Sequence, residues 1–186
     1  MKHDFEVYYK NLKLRQIKYD DIELLRIWRN DKIATRFLRP IGEITQQMQE
    51  SWYNSYLNNK NELALVIEEC KEINSVIGSI SLYDFNGSEA EFGKFMIGNA
   101  RAHGKGYGRQ SLVMALKLGF ETLNINRILA EVHTDNIAAY SNYIRVGCRV
   151  IGTVPSCVGG LEYKLEIDRQ AVKTANLYYD EIEVKM

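Results

Sequence analysis

The chain is poor in proline and cysteine, with two prolines and three cysteines among its 186 residues. Cys70, Cys148 and Cys157 are odd in number and widely spaced, which favours reduced thiols over a disulfide framework or a zinc site. The three histidines share no ligand spacing, so the sequence predicts no metal centre. Repeats, low-complexity linkers and proline-rich stretches are missing too, and nothing in the sequence requires a second domain.

The chain also lacks net charge and long apolar runs. Its 24 basic and 24 acidic residues balance, which gives no global electrostatic reason to bind nucleic acid or an anionic membrane. No apolar run approaches membrane-spanning length, and the first residues do not form a secretion signal. We therefore expect a cytoplasmic protein with a small or locally recognised partner, with a homodimer as one option for its oligomeric state. The length predicts a single domain over 1–186, with a core at about 12–170 and a C-terminal tail at about 171–186.

Hydrophobic periodicity predicts a mixed α/β order with an antiparallel meander in its first half. The predicted strands are 12–18, 62–70, 74–83, 89–97 and 128–132. The segments between the middle strands, Lys71-Glu72-Ile73 and Asn86-Gly87-Ser88, suit hairpin turns.

Helices are predicted between these strands from their capping residues. Asp20 and Asp21 can cap a helix that runs to about residue 30, and Thr45 can cap a second one. A third apolar helix is expected to end at Asn124, and another helix and a hairpin complete the domain. The final segment 176–186 has no readable motif and could pack as an added strand, join an interface or fray.

The segment 96–109 is the most informative one, because it joins a strand to a helix through a glycine-rich turn. Gly104, Gly106 and Gly108 allow backbone N–H groups to approach an anion closely at a helix N-terminus. Glycine spacing alone leaves a phosphate site and an ordinary connection equally open. A Walker-type loop needs Ser or Thr where Gly106 follows Lys105, and a Rossmann fingerprint needs G-x-G-x-x-G rather than G-x-G-x-G, so both are disfavoured.

Arg101-x-x-Gly104-x-Gly106 resembles the Q/R-x-x-G-x-G/A signature of the GNAT family of acetyl-coenzyme A-dependent N-acetyltransferases. In that family the signature binds the coenzyme pyrophosphate. The resemblance continues in order along the chain, through the family's fourth strand, coenzyme-binding helix, fifth strand and N-x-x-A-x-x-x-Y-x-x-x-G helix, at 90–97, 107–123, 127–133 and 136–147.

Within the family, the chain is most similar to the branch that holds ribosomal-protein alanine and spermidine N-acetyltransferases, which segments 28–30 and 38–40 also resemble. The resemblance covers about residues 12–170. Cys148 departs from it, because the family usually has an aromatic residue there, and we expect this to affect packing more than chemistry.

The resemblance implies a GNAT fold of the α/β (α+β) class, with a mostly antiparallel central sheet, splayed fourth and fifth strands, and flanking helices. It also implies acetyl-CoA as cosubstrate. The residues that it assigns to coenzyme binding are Met96, Ile97, Gly98, Arg101, His103, Gly104, Lys105, Gly106, Tyr107, Gly108, Arg109, Asn136 and Tyr143. Asn136 also suits a helix cap, and the two roles are compatible.

Direct attack of an amine on a thioester needs a neutral amine and a protonated leaving thiol. The resemblance makes Tyr143 the general acid, with Tyr140 as its rival, although both tyrosines could instead be core aromatics. Glu91 is the candidate base, acting directly or through water; a solvated or salt-bridged strand glutamate is an equally open interpretation.

The resemblance places the first two helices and their connection over the acceptor site, so Trp28, Arg36, Phe37 and Arg39 are the candidate acceptor-binding residues. The acceptor itself stays open among a polyamine, an amino sugar, an aminoglycoside-like compound and a protein α-amine, and we favour a small molecule. The competing hypothesis is a non-catalytic acyl-coenzyme A-binding module.

Overall fold

The computed structural model describes residues 2–185; Met1 and Met186, the last residue of the predicted tail, lie outside this part. The described residues form nine strands and five α-helices: β1 (Glu6–Tyr9), β2 (Leu12–Gln16), α1 (Ile22–Asn30), α2 (Gln46–Asn58), β3 (Glu62–Glu69), β4 (Ser75–Asn86), β5 (Glu89–Ile97), α3 (Tyr107–Glu121), β6 (Arg127–His133), α4 (Ile137–Arg145), β7 (Arg149–Pro155), β8 (Leu161–Asp168), α5 (Arg169–Ala175) and β9 (Glu183–Lys185). Among them no helix is long and apolar enough to cross a membrane.

All nine strands belong to one sheet in the order β7-β8-β6-β5-β4-β3-β2-β1-β9. Neighbouring strands are antiparallel except β5 and β6, which are parallel. The β5–β6 pairing joins only Glu89 to Arg127, Ala90 to Ile128 and Glu91 to Leu129. Beyond Glu91 the two strands separate, which confirms the predicted mixed sheet and its splayed strands. The strands that the resemblance numbers as fourth and fifth are β5 and β6 in this structure.

Both faces of the sheet centre are covered by helices. In β3, Leu63 and Leu65 pack in the core cluster that contains α3, whereas Ala64 and Val66 pack in the cluster that contains α1 and α2. Burial on both faces explains why β3 is an almost continuous apolar run. The part of the sheet formed by β5, β6 and β8 carries polar residues on the face opposite α3.

The N-terminal helix begins differently from the prediction. Asp21 precedes α1, but its side chain does not cap the helix. Its carboxylate instead accepts hydrogen bonds from the guanidinium of Arg15 at 2.7 and 3.0 Å and from the backbone N–H of Lys18 at 2.7 Å. The predicted strand 12–18 therefore ends at Gln16, and the carboxylate closes the turn into α1.

The ends of the domain also contain elements that the sequence did not predict. β1 and α5 were missed, and β9, within the described part of the tail, pairs with β1 along its outer edge. Tyr179 in this tail is fully buried. The tail therefore packs as an added strand, which was one of the three options. The helix α3 ends at Glu121 rather than at Asn124, which has a left-handed φ of 54° in the following turn.

Candidate active site

The opening between β5 and β6 begins beside a bulge in β5. The pairing of β4 with β5 shifts between Ser79–Met96 and Ser81–Gly93, so β5 has one residue more than β4 over this interval. After the bulge, the N–H groups of Gly98 and Asn99 both donate to the carbonyl of Ile77, at 2.9 and 3.1 Å. The bulge thus lies at Lys94 and Phe95, and Met96 and Ile97 pair again with Ser79 and Gly78 at the edge of the opening.

The glycine-rich turn that follows has the backbone of an anion site. Gly104 and Gly106 have φ values of 75° and 79°, a region that favours glycine. A Cβ on Gly104 would meet no atom within 4 Å, so the space over the turn is open. His103 is exposed, and its Nε2 lies 2.9 Å from the carbonyl of Ile97, which ties the turn to β5.

The helix α3 begins without a side-chain cap. In contrast, Thr45, Asn136 and Asp168 each cap their helices by accepting a backbone N–H. The first N–H groups of α3 are therefore left for an external anion beside the open glycine turn, and this arrangement fits the pyrophosphate of coenzyme A. The Tyr107 side chain is buried, so at that position only the backbone faces the turn.

The cations beside the turn are held by a neighbouring hairpin. The ammonium of Lys105 lies 2.5 Å from the carboxylate of Glu72, in the turn between β3 and β4. Arg101 donates to the Glu72 carbonyl at 3.4 Å. Arg109 lies beside Tyr178. Burial raises the pKa of Tyr178 more than the Arg109 guanidinium lowers it. Arg101 and Lys105 thus contact the hairpin between β3 and β4, and Arg109 lies beside the C-terminal tail.

Tyr143 reaches the opening from α4. Its buried ring meets Phe92 of β5 edge-on, with the centroids 4.8 Å apart. Burial raises the pKa of Tyr143, and the nearby Cys148 and Tyr83 raise it further, so the phenol stays protonated. The rival Tyr140 packs on Tyr163 of β8 with centroids 4.8 Å apart, away from Phe92.

At the start of α4, Asn136 accepts the N–H of Ala139 at 3.3 Å and donates its own N–H to the carbonyl of His133 at 2.9 Å. The capping role that its sequence position suggested is therefore present. Cys148, just after the helix, is buried, and burial raises the pKa of its thiol to about 12. This keeps the thiol neutral, as packing requires.

Glu91 lies on the sheet face opposite α3, in register with Tyr83 of β4 and Leu129 of β6. Glu131 follows Leu129 by two residues on the same face. Burial raises the pKa of Glu131, and the negative charges of Glu162 and Glu91 raise it further. Glu91 of β5 and Glu131 of β6 therefore border the splay on this face, and Glu162 of β8 lies beside Glu131.

The connection between α1 and α2 supplies the acceptor-side candidates. The Trp28 indole lies directly on Gly98, because a Cβ there would fall 2.0 Å from Trp28 Cδ2. Phe37 stacks on His133 with ring centroids 5.1 Å apart, and the Arg36 guanidinium lies 4.9 Å from the centroid of the Phe37 ring. Trp28 and Phe37 are thus brought to the two sides of the opening.

Arg36 and Arg39 are exposed at the same connection. The carbonyl of Arg39 accepts a hydrogen bond from Arg29 at 2.5 Å, and burial lowers the pKa of Arg29. The backbone of Arg39 therefore holds the connection to α1, while its side chain remains in solvent.

Sequence reasoning missed one residue beside the opening, Tyr83. His133 also lies there; it is buried, its Nδ1 accepts the N–H of Asp135, and its Nε2 lies 2.7 Å from the carbonyl of Gly159, contacts that suit a structural histidine. Tyr83 was not singled out, and its hydroxyl lies 2.6 Å from the position of a Cβ on Gly93. The cross-strand register, which cannot be read from the sequence, brings Tyr83 beside Glu91 and Gly93.

A family model agrees with this fold and site. The model for the acetyltransferase (GNAT) domain matches residues 11–149. The chain therefore belongs to the GNAT acetyltransferase family, a family of N-acetyltransferases with acetyl-CoA as cosubstrate.

Individual relatives share about a quarter of their residues with this chain or less. The chain is 26% identical over 153 residues to the uncharacterized N-acetyltransferase YnaD of Bacillus subtilis, a match that covers 80% of this chain and 85% of that protein. It is 27% identical over 136 residues to the uncharacterized N-acetyltransferase p20 of Bacillus licheniformis, covering 70% and 74%. A crystal structure of spermidine N-acetyltransferase from Vibrio cholerae, in complex with CoA and spermine, gives a TM-score of 0.79 at 22% identity, covering 87% of this chain and 98% of that one. The structural likeness shows the fold.

Proposed function

We propose that this protein transfers the acetyl group of acetyl-CoA to a primary amine of a small molecule, a polyamine or an amino sugar, by direct attack. The observation that carries the proposal is the opening between β5 and β6, with the uncapped start of α3 at one end and the Tyr143 phenol beside Phe92. Bound there, the coenzyme supplies an activated thioester. The remaining chemistry belongs to side chains of this chain.

Tyr143 is proposed as the general acid. A phenol whose pKa is raised by burial first, and by Cys148 and Tyr83 next, stays protonated at neutral pH. It can therefore donate to a sulfur that gains negative charge as its bond to the acetyl carbon breaks. Such proton donation typically contributes about 10²-fold or more in rate.

Glu91 is proposed as the proton acceptor for the amine. A free alkyl amine has a pKa of about 10.4 and is mostly charged at neutral pH, so a proton must leave before attack. Glu91 stands at the last β5–β6 pair, where the strands begin to separate. Its carboxylate is on the open sheet face, from which an amine can enter.

The charges on that face support a cationic acceptor. Glu131 lies between Glu91 and Glu162, and burial together with these two negative charges raises its pKa, although Lys164 acts in the opposite direction. A bound ammonium group would relieve this repulsion, whereas a neutral acceptor would not. A small polyamine carries several such groups, and the similar structure from Vibrio cholerae contains spermine. Trp28, Phe37, Arg36 and Arg39 complete the proposed acceptor side.

A thiol-release assay with acetyl-CoA over a panel of amines tests the proposal. The panel holds polyamines, amino sugars, aminoglycosides and peptides with free α-amines. Turnover with the first two classes is expected. Turnover with peptides alone would replace the acceptor by a protein N-terminus, and coenzyme binding without turnover would indicate a non-catalytic binding module.

Tyr143→Phe gives the matched test of the acid. It keeps the buried ring against Phe92 and removes only the hydroxyl, so folding and coenzyme affinity should be preserved while the maximal rate falls by about 10²-fold. Tyr140→Phe is the control, because that ring packs on Tyr163 instead. A normal rate for Tyr143→Phe with a severe loss for Tyr140→Phe would move the acid role to Tyr140.

A further inference from the structure

Tyr83 projects its hydroxyl into the mouth of the β5–β6 opening. On β4 it pairs with Glu91 of β5, and the next residue of β5 on that face is Gly93, beyond the last β5–β6 pair. A Cβ on Gly93 would lie 2.6 Å from the Tyr83 hydroxyl oxygen, closer than real Cβ atoms come to neighbouring atoms. Gly93 does not have a positive φ, so its backbone does not require glycine. The glycine leaves space for the Tyr83 hydroxyl.

The ring of Tyr83 is covered by the side chain of Lys94. The ammonium of Lys94 lies 5.0 Å from the ring centroid and 2.7 Å from the buried carboxylate of Glu62. Lys94 adopts a left-handed φ of 49° within the bulge of β5. Such a conformation is unfavourable for a lysine and is maintained only where the surroundings impose it, often at functional sites. Lys94 thus fixes the ring of Tyr83, and the hydroxyl lies against Gly93.

The hydroxyl stays neutral in this position. Burial raises the pKa of Tyr83, and negative charges on all neighbouring strands raise it further. The charged groups that face it are Glu62 on β3, Asp84 on β4, Glu91 and Lys94 on β5, and Glu131 on β6. A neutral phenol among carboxylates can donate its hydrogen to one of them and still accept an N–H on its oxygen.

We infer that Tyr83 is an acceptor-site residue whose hydroxyl oxygen accepts an N–H of the incoming amine while its own hydrogen is donated to the Glu91 carboxylate. This inference rests on the proposed function, since it assigns a role in amine binding. It explains why a glycine stands at 93, where the phenol needs room, and why Lys94 holds the ring. The amine nitrogen is then held between Tyr83 and Glu91, and its lone pair can point towards the opening.

Tyr83→Phe tests the inference, because it keeps the ring under Lys94 and removes only the hydroxyl. Calorimetry with an amine that the wild-type chain acetylates, on protein saturated with coenzyme A, should show about 5- to 10-fold weaker amine binding, the usual worth of one hydrogen bond. The kcat/KM for the amine should fall at least as much, with an unchanged KM for acetyl-CoA. Tyr53→Phe is the control on α2, where the ring packs against Tyr19 and Tyr56, and it should leave both quantities unchanged.

Gly93→Ala reaches the same hydroxyl from the opposite side. Alone, it should displace the Tyr83 hydroxyl and weaken amine binding; in the Tyr83→Phe background it should cost much less, because the closest atom is gone. This non-additivity would not arise if the two residues only stabilised the sheet independently. If Gly93→Ala folds poorly, the comparison of Tyr83→Phe with the wild type still tests the role of the hydroxyl. If the wild-type chain turns over an amine and Tyr83→Phe keeps amine affinity and kcat/KM within about twofold of the wild-type values, the role of Tyr83 is wrong while the proposed function stands. No turnover of any amine by the wild-type chain would overturn the proposed function, and this role with it.

Discussion

Gly98→Ala should destabilise the protein by forcing the Trp28 indole away from the edge of the opening. A Cβ at residue 98 would lie 2.0, 2.4 and 2.5 Å from three indole atoms. Ordinary contact begins at 3.4 Å, so the ring or the backbone has to move by about 1.4 Å at the closest atom. Trp28 is 9% exposed and packs with Ile17, Ile22 and Leu25, which leaves it little room to retreat.

Overpacking of this kind typically costs about 1–3 kcal/mol in free energy of unfolding. For a chain of this size, each kcal/mol corresponds to about 2–4 °C in Tm. Urea unfolding followed by circular dichroism measures the free energy directly. In a Trp52→Phe background, Trp28 is the remaining tryptophan, and its emission should shift in the folded Gly98→Ala variant because the indole leaves its buried position.

Gly152→Ala is the matched control. Gly152 lies in β7, has no positive φ, and a Cβ there would meet no atom within 4 Å, so the free energy of unfolding should change by less than about 0.5 kcal/mol. If Gly98→Ala is as stable as Gly152→Ala and leaves the Trp28 emission unchanged, then the indole does not rest on Gly98 and the assignment of Trp28 to the opening is wrong.

Three further predictions concern binding, catalysis and stability. Replacing Gly104 and Gly106 together by Val should weaken acetyl-CoA binding in calorimetry, since both have positive φ and the added side chains would cover the turn; undiminished affinity in a folded variant would remove the turn from the coenzyme site. Glu91→Gln should lower turnover most below the pKa of the acceptor amine and recover partly at higher pH, and an unchanged pH–rate profile would leave proton removal to solvent. Burial raises the pKa of Glu69, but hydrogen bonds from nearby backbone N–H groups and Asn11 outweigh this and lower it from 4.5 to about 2. Its carboxylate therefore stabilises the fold above about pH 4.5 and loses this effect as the pH falls towards 2, so the stability difference between wild type and Glu69→Gln should shrink over that interval, and a constant difference in acid unfolding would contradict it.

Local patterns predicted the centre of the fold well. The strand at 89–97 agrees with the structure, because alternating apolar residues and glycine turns act within a few positions. The start of α3 at Tyr107, which the family resemblance predicted, agrees as well. The splay and the general position of Tyr143 followed from the family resemblance.

The missed features depend on contacts distant in sequence. β1 has four residues and becomes a strand by pairing with β2, which lies next to it in sequence, and with β9, which lies at the other end of the chain. Asp21 left its expected capping role because Arg15, six residues earlier, binds its carboxylate. Tyr83 is functionally placed only through the register that sets it against Glu91 and Gly93. Periodicity predicts which face a residue occupies, but cross-strand register decides its neighbours.

The pairing of β9 with β1 has a consequence for how the chain matures during synthesis. Val7 of the first strand lies opposite Val184 of the last, and the buried Tyr179 and Ile182 belong to the same late segment. A chain emerging from the ribosome therefore exposes the outer edge of β1 until residues 183–185 are released. Bare strand edges invite wrong partners, so a translation pause before residues 183–185 are released should increase aggregation.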